Sequence, residues 1–320
     1  SGFRSFDTQE QILTSWIKIR GNEAYKRVAK PGYSEHQLGV AIDVSGESIS
    51  YTSAAERFAD SPEYAWLVDN AYKYGFIEKG FPYYGWLIAI HTAVIKTAVN
   101  FKIPLLFYGE DGEIEYGGST ESKYKALYDI NYMKRVYLEG GHQKVFDRIK
   151  QDSDITDADL SFFKFPTDEE VSEIGLSFTH WSYFEGWDSY RNYVIAKEYC
   201  GLTEKEEGNI DTFTNFSQND QALYALHAYM MYLKFGFGRA TQDAGIEIRR
   251  GSMTRDQALN LVKMYDNAYP HDLIEVYLKY YNMTQAEFDE VLDKYANKDL
   301  FEKLDGIWQP KFIPGEDFYI

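Results

Sequence analysis

Ile103-Pro104-Leu105-Leu106-Phe107-Tyr108-Gly109-Glu110-Asp111-Gly112 is a short apolar run that gives way to glycine and acid. Its length and its Pro and Gly boundaries predict a buried strand over 103–108 and a loop over 109–120. Just before it, residues 86–100 carry apolar side chains at helical spacing. In an α/β fold, which the length leaves open, a strand end running into such a loop is where ligands bind. Glycines at such a turn expose N–H groups that cradle phosphate, and nearby carboxylates hold Mg²⁺ or a ribose hydroxyl. A plain polar surface loop uses the same residues. The segment from Trp86 to Phe107 is the most apolar of the chain, yet it is no membrane span. His91, Lys96, Asn100 and Lys102 interrupt it, and Pro104 breaks it.

Towards the amino terminus the pattern predicts a helix over 7–20, a Gly/Pro-bearing loop over 30–39 and a short strand over 40–44. A second helix is expected over 62–74, capped by Asp60-Ser61 and stopped by Gly75. Towards the carboxyl terminus helical patterns recur over 122–151, 187–198, 220–235, 254–267 and 284–295, and the acidic stretch 149–166 reads as a surface loop. There is no internal repeat and no low-complexity tract. A change of character near residue 78 divides the chain into 1–78 and 79–320.

At 320 residues the chain is long enough for two folding units, and its 44% hydrophobic content excludes global disorder. Its 33 Lys+Arg against 50 Asp+Glu leave a net charge of −17, which argues against nucleic acid and anionic membrane as partners. The 28 Tyr and 21 Phe make the core strongly aromatic, with many hydroxyls that need acceptors. Cys200 is the single cysteine, so there is no intrachain disulfide and no Cys-rich zinc cluster. The chain opens on Ser1 rather than Met, so the lack of a signal peptide says little about compartment.

Ser34-Glu35-His36-Gln37-Leu38-Gly39-Val40-Ala41-Ile42-Asp43 has the form S-x-H-x-x-G-x-A-x-D. A neutral imidazole and a carboxylate are good Zn²⁺ ligands, although a His and a downstream Asp also occur as a solvated pair. Gly39 would let the backbone bend closely around an ion. With Ser1-Gly2-Phe3-Arg4-Ser5, Gln9, Lys30-Pro31-Gly32-Tyr33 and Trp66-Leu67 through Tyr74-Gly75-Phe76-Ile77, the segment resembles VanY-type zinc D-Ala-D-Ala carboxypeptidases over almost all of 1–77. The resemblance implies an α+β, D,D-peptidase-like piece acting on a peptidoglycan peptide. It implies His36 and Asp43 as zinc ligands, Arg4 as a catalytic residue near the scissile bond, and Ser34 as a substrate-site hydroxyl. A guanidinium suits the oxygen charge that develops when a peptide carbonyl is attacked. The family's third zinc ligand and general-base Glu lie in an E-x-x-H segment after the Tyr-Gly-Phe-Ile turn. Here the chain reads Glu78-Lys79-Gly80-Phe81-Pro82-Tyr83-Tyr84-Gly85-Trp86, and the next histidine is His91.

A second constellation lies in Gly236-Phe237-Gly238-Arg239-Ala240-Thr241-Gln242-Asp243-Ala244 and runs on to Glu247 and Arg249. In a helix, Arg239, Asp243 and Glu247 share one face, the pattern of a salt-bridged solvent face. The Gly-Phe-Gly-Arg lead-in is an odd start for one. With Tyr108 to Gly118, Trp181-Ser182-Tyr183-Phe184-Glu185-Gly186-Trp187-Asp188 and Thr212-Phe213-Thr214-Asn215-Phe216, the chain from about residue 78 onward resembles N-acetyl sugar amidotransferases of the WbpG/PseA type. The resemblance implies a helix-rich α/β piece like the ATP-pyrophosphatase (Rossmann-like) fold, truncated at its N-terminal half. It implies ATP with Mg²⁺ activating a sugar carbonyl oxygen by adenylation, and ammonia from a partner glutaminase displacing AMP. The product would be an acetamidino sugar for O-antigen or flagellin glycans. Glu110, Glu115, Arg239, Asp243 and Arg249 would stand at or near the nucleotide–sugar site. The family's S-G-G-x-D-S phosphate loop and Cys pairs have no counterpart, and Gly117-Gly118-Ser119 does not follow a first strand.

The two resemblances imply different places. Nucleotide-sugar chemistry is cytoplasmic, whereas peptidoglycan trimming belongs to the cell envelope. A third expectation is a fusion of two truncated enzymes in which neither chemistry operates.

Overall fold

The computed structural model describes residues 6–26, 72–109, 125–138, 141–152, 156–157, 160, 163–217 and 222–316. The chain divides into two units, residues 1–68 and 69–320. In the first, α1 (Phe6–Arg20) passes into a 3₁₀ segment over Gly21–Lys26, with Leu13 and Ala24 buried. The expected loop over 30–39, the strand over 40–44 and most of the helix over 62–74 lie outside the described residues.

The second unit begins with α2 (Tyr72–Lys79) and α3 (Tyr84–Phe101). Gly75 is not the stop expected of it, because it sits inside α2. A Cβ there would come within 2.5 Å of the Tyr84 Cβ, so this glycine lets two helices pack at backbone distance. The actual stop is Gly80, at φ +58°, whose N–H donates to the Phe76 carbonyl at 2.8 Å. At the end of α3, Lys102 turns left-handed (φ 53°) and Pro104 prevents continuation.

The next elements are β1 (Leu105–Tyr108), β2 (Tyr128–Asp129), α4 (Ile130–Arg135), α5 (Gln143–Asp152), α6 (Asp168–Glu173) and β3 (Ser177–His180). Among the described residues the three strands form one sheet in the order β1-β3-β2, with β1 parallel and β2 antiparallel to β3. One face of this sheet packs on α3 through Ile95, Ala98, Tyr128, Met133, Leu176 and Phe178. The strand expected to be buried is only half so. Leu105 is 46% and Phe107 51% exposed: β1 is an edge strand among the described residues, and the rings beside Phe107, Trp181 at 5.9 Å and Phe184 at 5.6 Å, are themselves 44% and 58% exposed. The single helical pattern expected over 122–151 is also broken: Gly141, at φ +102°, falls between α4 and α5. Within the expected loop 149–166, Ile149 belongs to α5, and Ile149, Leu160 and Phe163 are buried.

The remaining helices are α7 (Ser189–Cys200), α8 (Leu223–Phe235), α9 (Arg239–Arg249), α10 (Arg255–Tyr265), α11 (Ile274–Tyr281) and α12 (Gln285–Tyr295). A hairpin of β4 (Phe301–Leu304) and β5 (Ile307–Pro310) follows. Capping boxes at Thr167/Glu170, Thr254/Gln257 and Thr284/Glu287 begin α6, α10 and α12. The main core joins Phe76 and Tyr83 to Leu226, Met230 and Leu233 of α8, Tyr277 and Tyr281 of α11, and Phe288 and Leu292 of α12. Buried tyrosines find acceptors: Tyr281 donates to the Pro82 carbonyl, Tyr277 to Ala222 and Tyr84 to Leu138, each at 2.7 Å. The described fold is thus a helix-rich α+β arrangement. No helix among the described residues is long and apolar enough to cross a membrane.

Candidate functional site

Gly236 ends α8 in the left-handed region at φ +81°, and Gly238 enters α9 extended. The reason for the second glycine is a neighbour. Asp266, just past α10, accepts the Gly238 N–H at 2.9 Å, the Thr241 N–H at 3.2 Å and the Thr241 hydroxyl at 2.5 Å. A Cβ on Gly238 would lie 2.8 Å from the Asp266 Oδ1. The odd Gly-Phe-Gly-Arg lead-in is therefore a clasp between α9 and the end of α10. It fills the amino terminus of α9 with a carboxylate, where a phosphate would otherwise fit. Burial pushes the Asp266 carboxyl above its usual range, and these hydrogen bonds oppose the shift.

Arg239 and Asp243 are brought together, and not on a solvent face. The Arg239 Nε lies 3.0 Å from the Asp243 Oδ1 with both side chains buried, an ion pair in which that N–H is not aligned on the carboxylate. The Asp243 Oδ2 accepts the Thr212 hydroxyl at 2.6 Å. Gln242 shares this buried face, since residues 239, 242, 243 and 246 follow helical spacing. Opposite runs the 205–217 loop, pinned by Lys205 N to the Asn215 carbonyl at 2.9 Å and Asn209 N to the Thr214 carbonyl at 3.0 Å. It carries Asp211, which is 7% exposed; burial pushes its carboxyl up to about 6, while Arg239 pulls it down and Asp243 adds to the rise.

Arg249 lies on the exposed last turn of α9, apart from this face. Glu247 also leaves it, pairing with Arg250 at 2.7 Å. Arg250 in turn reaches Asp188, the residue that caps α7 through the Arg191 N–H at 2.9 Å. Sequence reasoning missed Asp211, Gln242 and Asp266. Gln242 carried a signal, being three residues after Arg239 in a helix; Asp266 carried none.

Arg4, Ser34, His36, Asp43, Glu110 and Glu115 lie outside the described residues. Among the described residues no three of His, Cys, Asp and Glu are placed to hold a metal ion. His91 lies on α3, its ring 5.7 Å from that of Tyr137 and 6.4 Å from that of Tyr108, while Tyr108 stacks on His180 at 5.3 Å. These rings gather at the carboxyl ends of β1 and β3, where Tyr108 and His180 are register partners. Burial drives His91 and His180 down to about 4, so both are neutral at physiological pH.

Residues 210–312, which contain the α9 clasp, match the family model described as LPS biosynthesis protein WbpG-like, C-terminal domain. Residues 1–84 match that of VanY, D-alanyl-D-alanine carboxypeptidase. The "Putative carboxypeptidase YodJ" of Bacillus subtilis is 44% identical over 78 residues, covering 24% of this chain and 28% of that protein. A "D-alanyl-D-alanine carboxypeptidase" of Enterococcus faecalis is 35% identical over 89 residues, covering 25% and 31%. One of Enterococcus faecium is 32% identical over 110 residues, covering 30% and 31%. The chain spans less than a third of the length of these curated relatives.

Proposed function

We propose that the region from residue 79 onward acts in surface-polysaccharide biosynthesis as a sugar amidotransferase-like protein, with ATP-dependent amidation of an N-acetyl sugar as its reaction. The observation that carries this reading is the coincidence of the 210–312 match with a buried polar face built from Arg239, Gln242, Asp243, Asp211 and Thr212. A guanidinium, carboxyls, a hydroxyl and an amide converging in one place are the means by which proteins orient polyhydroxylated ligands. Because Asp266 occupies the α9 amino terminus, nucleotide phosphates belong elsewhere. The glycine-bearing exit of β1 at Gly109, leading to Glu110 and Glu115, is the place this reading assigns to them. In it, ATP supplies the adenylation that makes a carbonyl oxygen a leaving group, a glutaminase partner supplies ammonia, and the reaction is cytoplasmic. The test is ATP–pyrophosphate exchange dependent on an N-acetyl sugar, with a glutaminase present. No exchange under those conditions overturns the reading.

A second reading concerns residues 1–84 alone and is favoured by the 44% identity to a putative carboxypeptidase. There His36 and Asp43 hold Zn²⁺, Ser34 binds the peptide terminus and Arg4 stabilises the carbonyl oxygen, with peptidoglycan peptide as substrate in the cell envelope. Bound zinc supplies Lewis-acid polarisation of the scissile carbonyl. Elemental analysis together with D-Ala release from a D-Ala-D-Ala peptide tests it. Less than one tightly held zinc per chain and no D-Ala would sink it.

A further inference from the structure

We infer that α7 is the contact surface for a second copy of this chain, the two helices packing antiparallel around a twofold axis between Val194 and Ile195. In that arrangement Arg191 of each copy meets Glu198 of the other. The inference is independent of both functional readings above.

α7 (Ser189–Cys200) wears its apolar side outward. None of its residues is buried. The side turned to the rest of the chain is half-buried and carries Ser189, Asn192, Tyr193 and Ala196 at helical spacing, with Tyr193 stacked on Phe216 at 4.5 Å. The outer side carries Tyr190, Val194, Ile195 and Tyr199, which are between 42% and 76% exposed. A helix of 12 residues is marginal in water unless an apolar face is covered, and here the more apolar face is the outer one. An exposed apolar patch of this kind marks an interaction surface.

The order of the residues says what covers it. Counted outward from the point between 194 and 195, Val194 answers Ile195, Arg191 answers Glu198 and Tyr190 answers Tyr199, and all six are exposed. Two antiparallel copies related by a twofold axis set each residue against its counterpart, which is what an isologous interface requires. Apolar side chains then meet apolar ones, and each charge meets its opposite. Arg191 already pairs with Glu185 at 2.8 Å, but that pair is nearly half exposed and a guanidinium has five donors to share. Lys197 turns aside to Glu204, so Arg191 and Glu198 are the charges of the outer face, and they balance. That balance matters in a chain of net charge −17, whose copies otherwise repel each other.

Sedimentation equilibrium of the full chain from about 1 to about 100 µM tests this, with dithiothreitol present so that the exposed Cys200 cannot cross-link copies. The average mass rises from one chain of 37.2 kDa towards two. A single pair of short helices is a small interface, so the dissociation constant lies in about the micromolar range. Ile195→Asp puts a charge beside the axis and leaves a monomer that circular dichroism shows to be folded. Arg191→Glu and Glu198→Arg each set like charges opposite one another and weaken the dimer by about tenfold or more. Mixed in equal amounts, those two variants pair with each other as tightly as the unaltered chain pairs with itself, because every charge again meets its opposite. Loss of the Glu185 pair alone would not be rescued in this way. A monomer at all these concentrations, a dimer indifferent to Ile195→Asp or to either charge reversal, or a mixture as weak as its parts overturns the inference.

Discussion

Asp266 stands 28 positions along the chain from Gly238, yet its carboxylate receives that residue's N–H at 2.9 Å and so begins α9 from the end of α10. The clasp predicts two coupled losses. Asp266→Ala leaves the buried N–H groups of Gly238 and Thr241 without their acceptor and costs about 2 kcal/mol or more, summing a lost cap and unpaired donors. Gly238→Ala pushes a methyl against the same carboxylate and costs about 1–3 kcal/mol by overpacking. Because both act on one contact, the double variant loses less than the sum. Urea denaturation of the four proteins checks this, and strict additivity would show that the two residues do not act together.

Acid destabilises this fold through its histidines. Burial lowers His91, His142 and His180 to about 4 and His227 to about 3, against an ordinary value of 6.5. Below pH 6.5 the unfolded chain takes up protons that the folded chain refuses, so stability present above 6.5 is lost as the pH falls towards 4. Asp211 works in the opposite sense. Raised from 3.8 to about 6, it binds its proton more tightly when folded and loses stability as pH rises through 6. Four histidines outweigh one aspartate, and the melting temperature falls between pH 7.5 and pH 5. His180→Phe keeps the stack on Tyr108 and flattens the profile. A melting temperature that holds or rises in acid would contradict the account.

Gly75→Ala and Gly109→Ala separate packing from local conformation. At position 75 the added methyl meets Tyr84 at 2.5 Å and must push α2 from α3, at a cost of about 1–3 kcal/mol despite alanine's better helix propensity. At position 109 no atom of the described residues lies within 4 Å, so alanine is tolerated within about 0.5 kcal/mol. Thermal melts of the two variants give the comparison, and equal effects would refute the close-packing role of Gly75.

Elements whose signals are local were legible in the sequence. Thr254 and Thr284 announce α10 and α12 because a capping box is written within four residues. One local signal was passed over, Asp305-Gly306, which makes the two-residue turn between β4 and β5. Failures came where the partner is distant. Gly75 looks like a stop until Tyr84 is beside it, and Leu105 and Phe107 look buried until β1 proves to be an edge. The site followed the same rule. Spacing put Arg239 and Asp243 on one helical face, but no pattern tells whether that face meets water or the 205–217 loop. Asp211, 28 residues before Arg239, joins them only through the fold.

The seam between the two parts of the chain offers a last test. Composition places it at residue 78, and the VanY-like match runs to residue 84. Yet Phe76 is fully buried in the core of the second unit, stacked on Tyr281 with ring centres 4.8 Å apart and 5.3 Å from Phe288. Tyr281 also donates to the Pro82 carbonyl, and Tyr295 and Lys294 donate to that of Ile77. A fragment over 69–320 therefore keeps its core, whereas one over 80–320 loses Phe76 and opens a cavity between α11 and α12. The loss amounts to about 3–5 kcal/mol, as for a buried Phe truncated to Ala, and is a large share of a typical domain's stability. Phe76→Ala in the full chain separates this from the effect of a new terminus. Urea unfolding followed by tryptophan fluorescence reports all three, and a fragment over 80–320 as stable as that over 69–320 would show that the seam does run at residue 78.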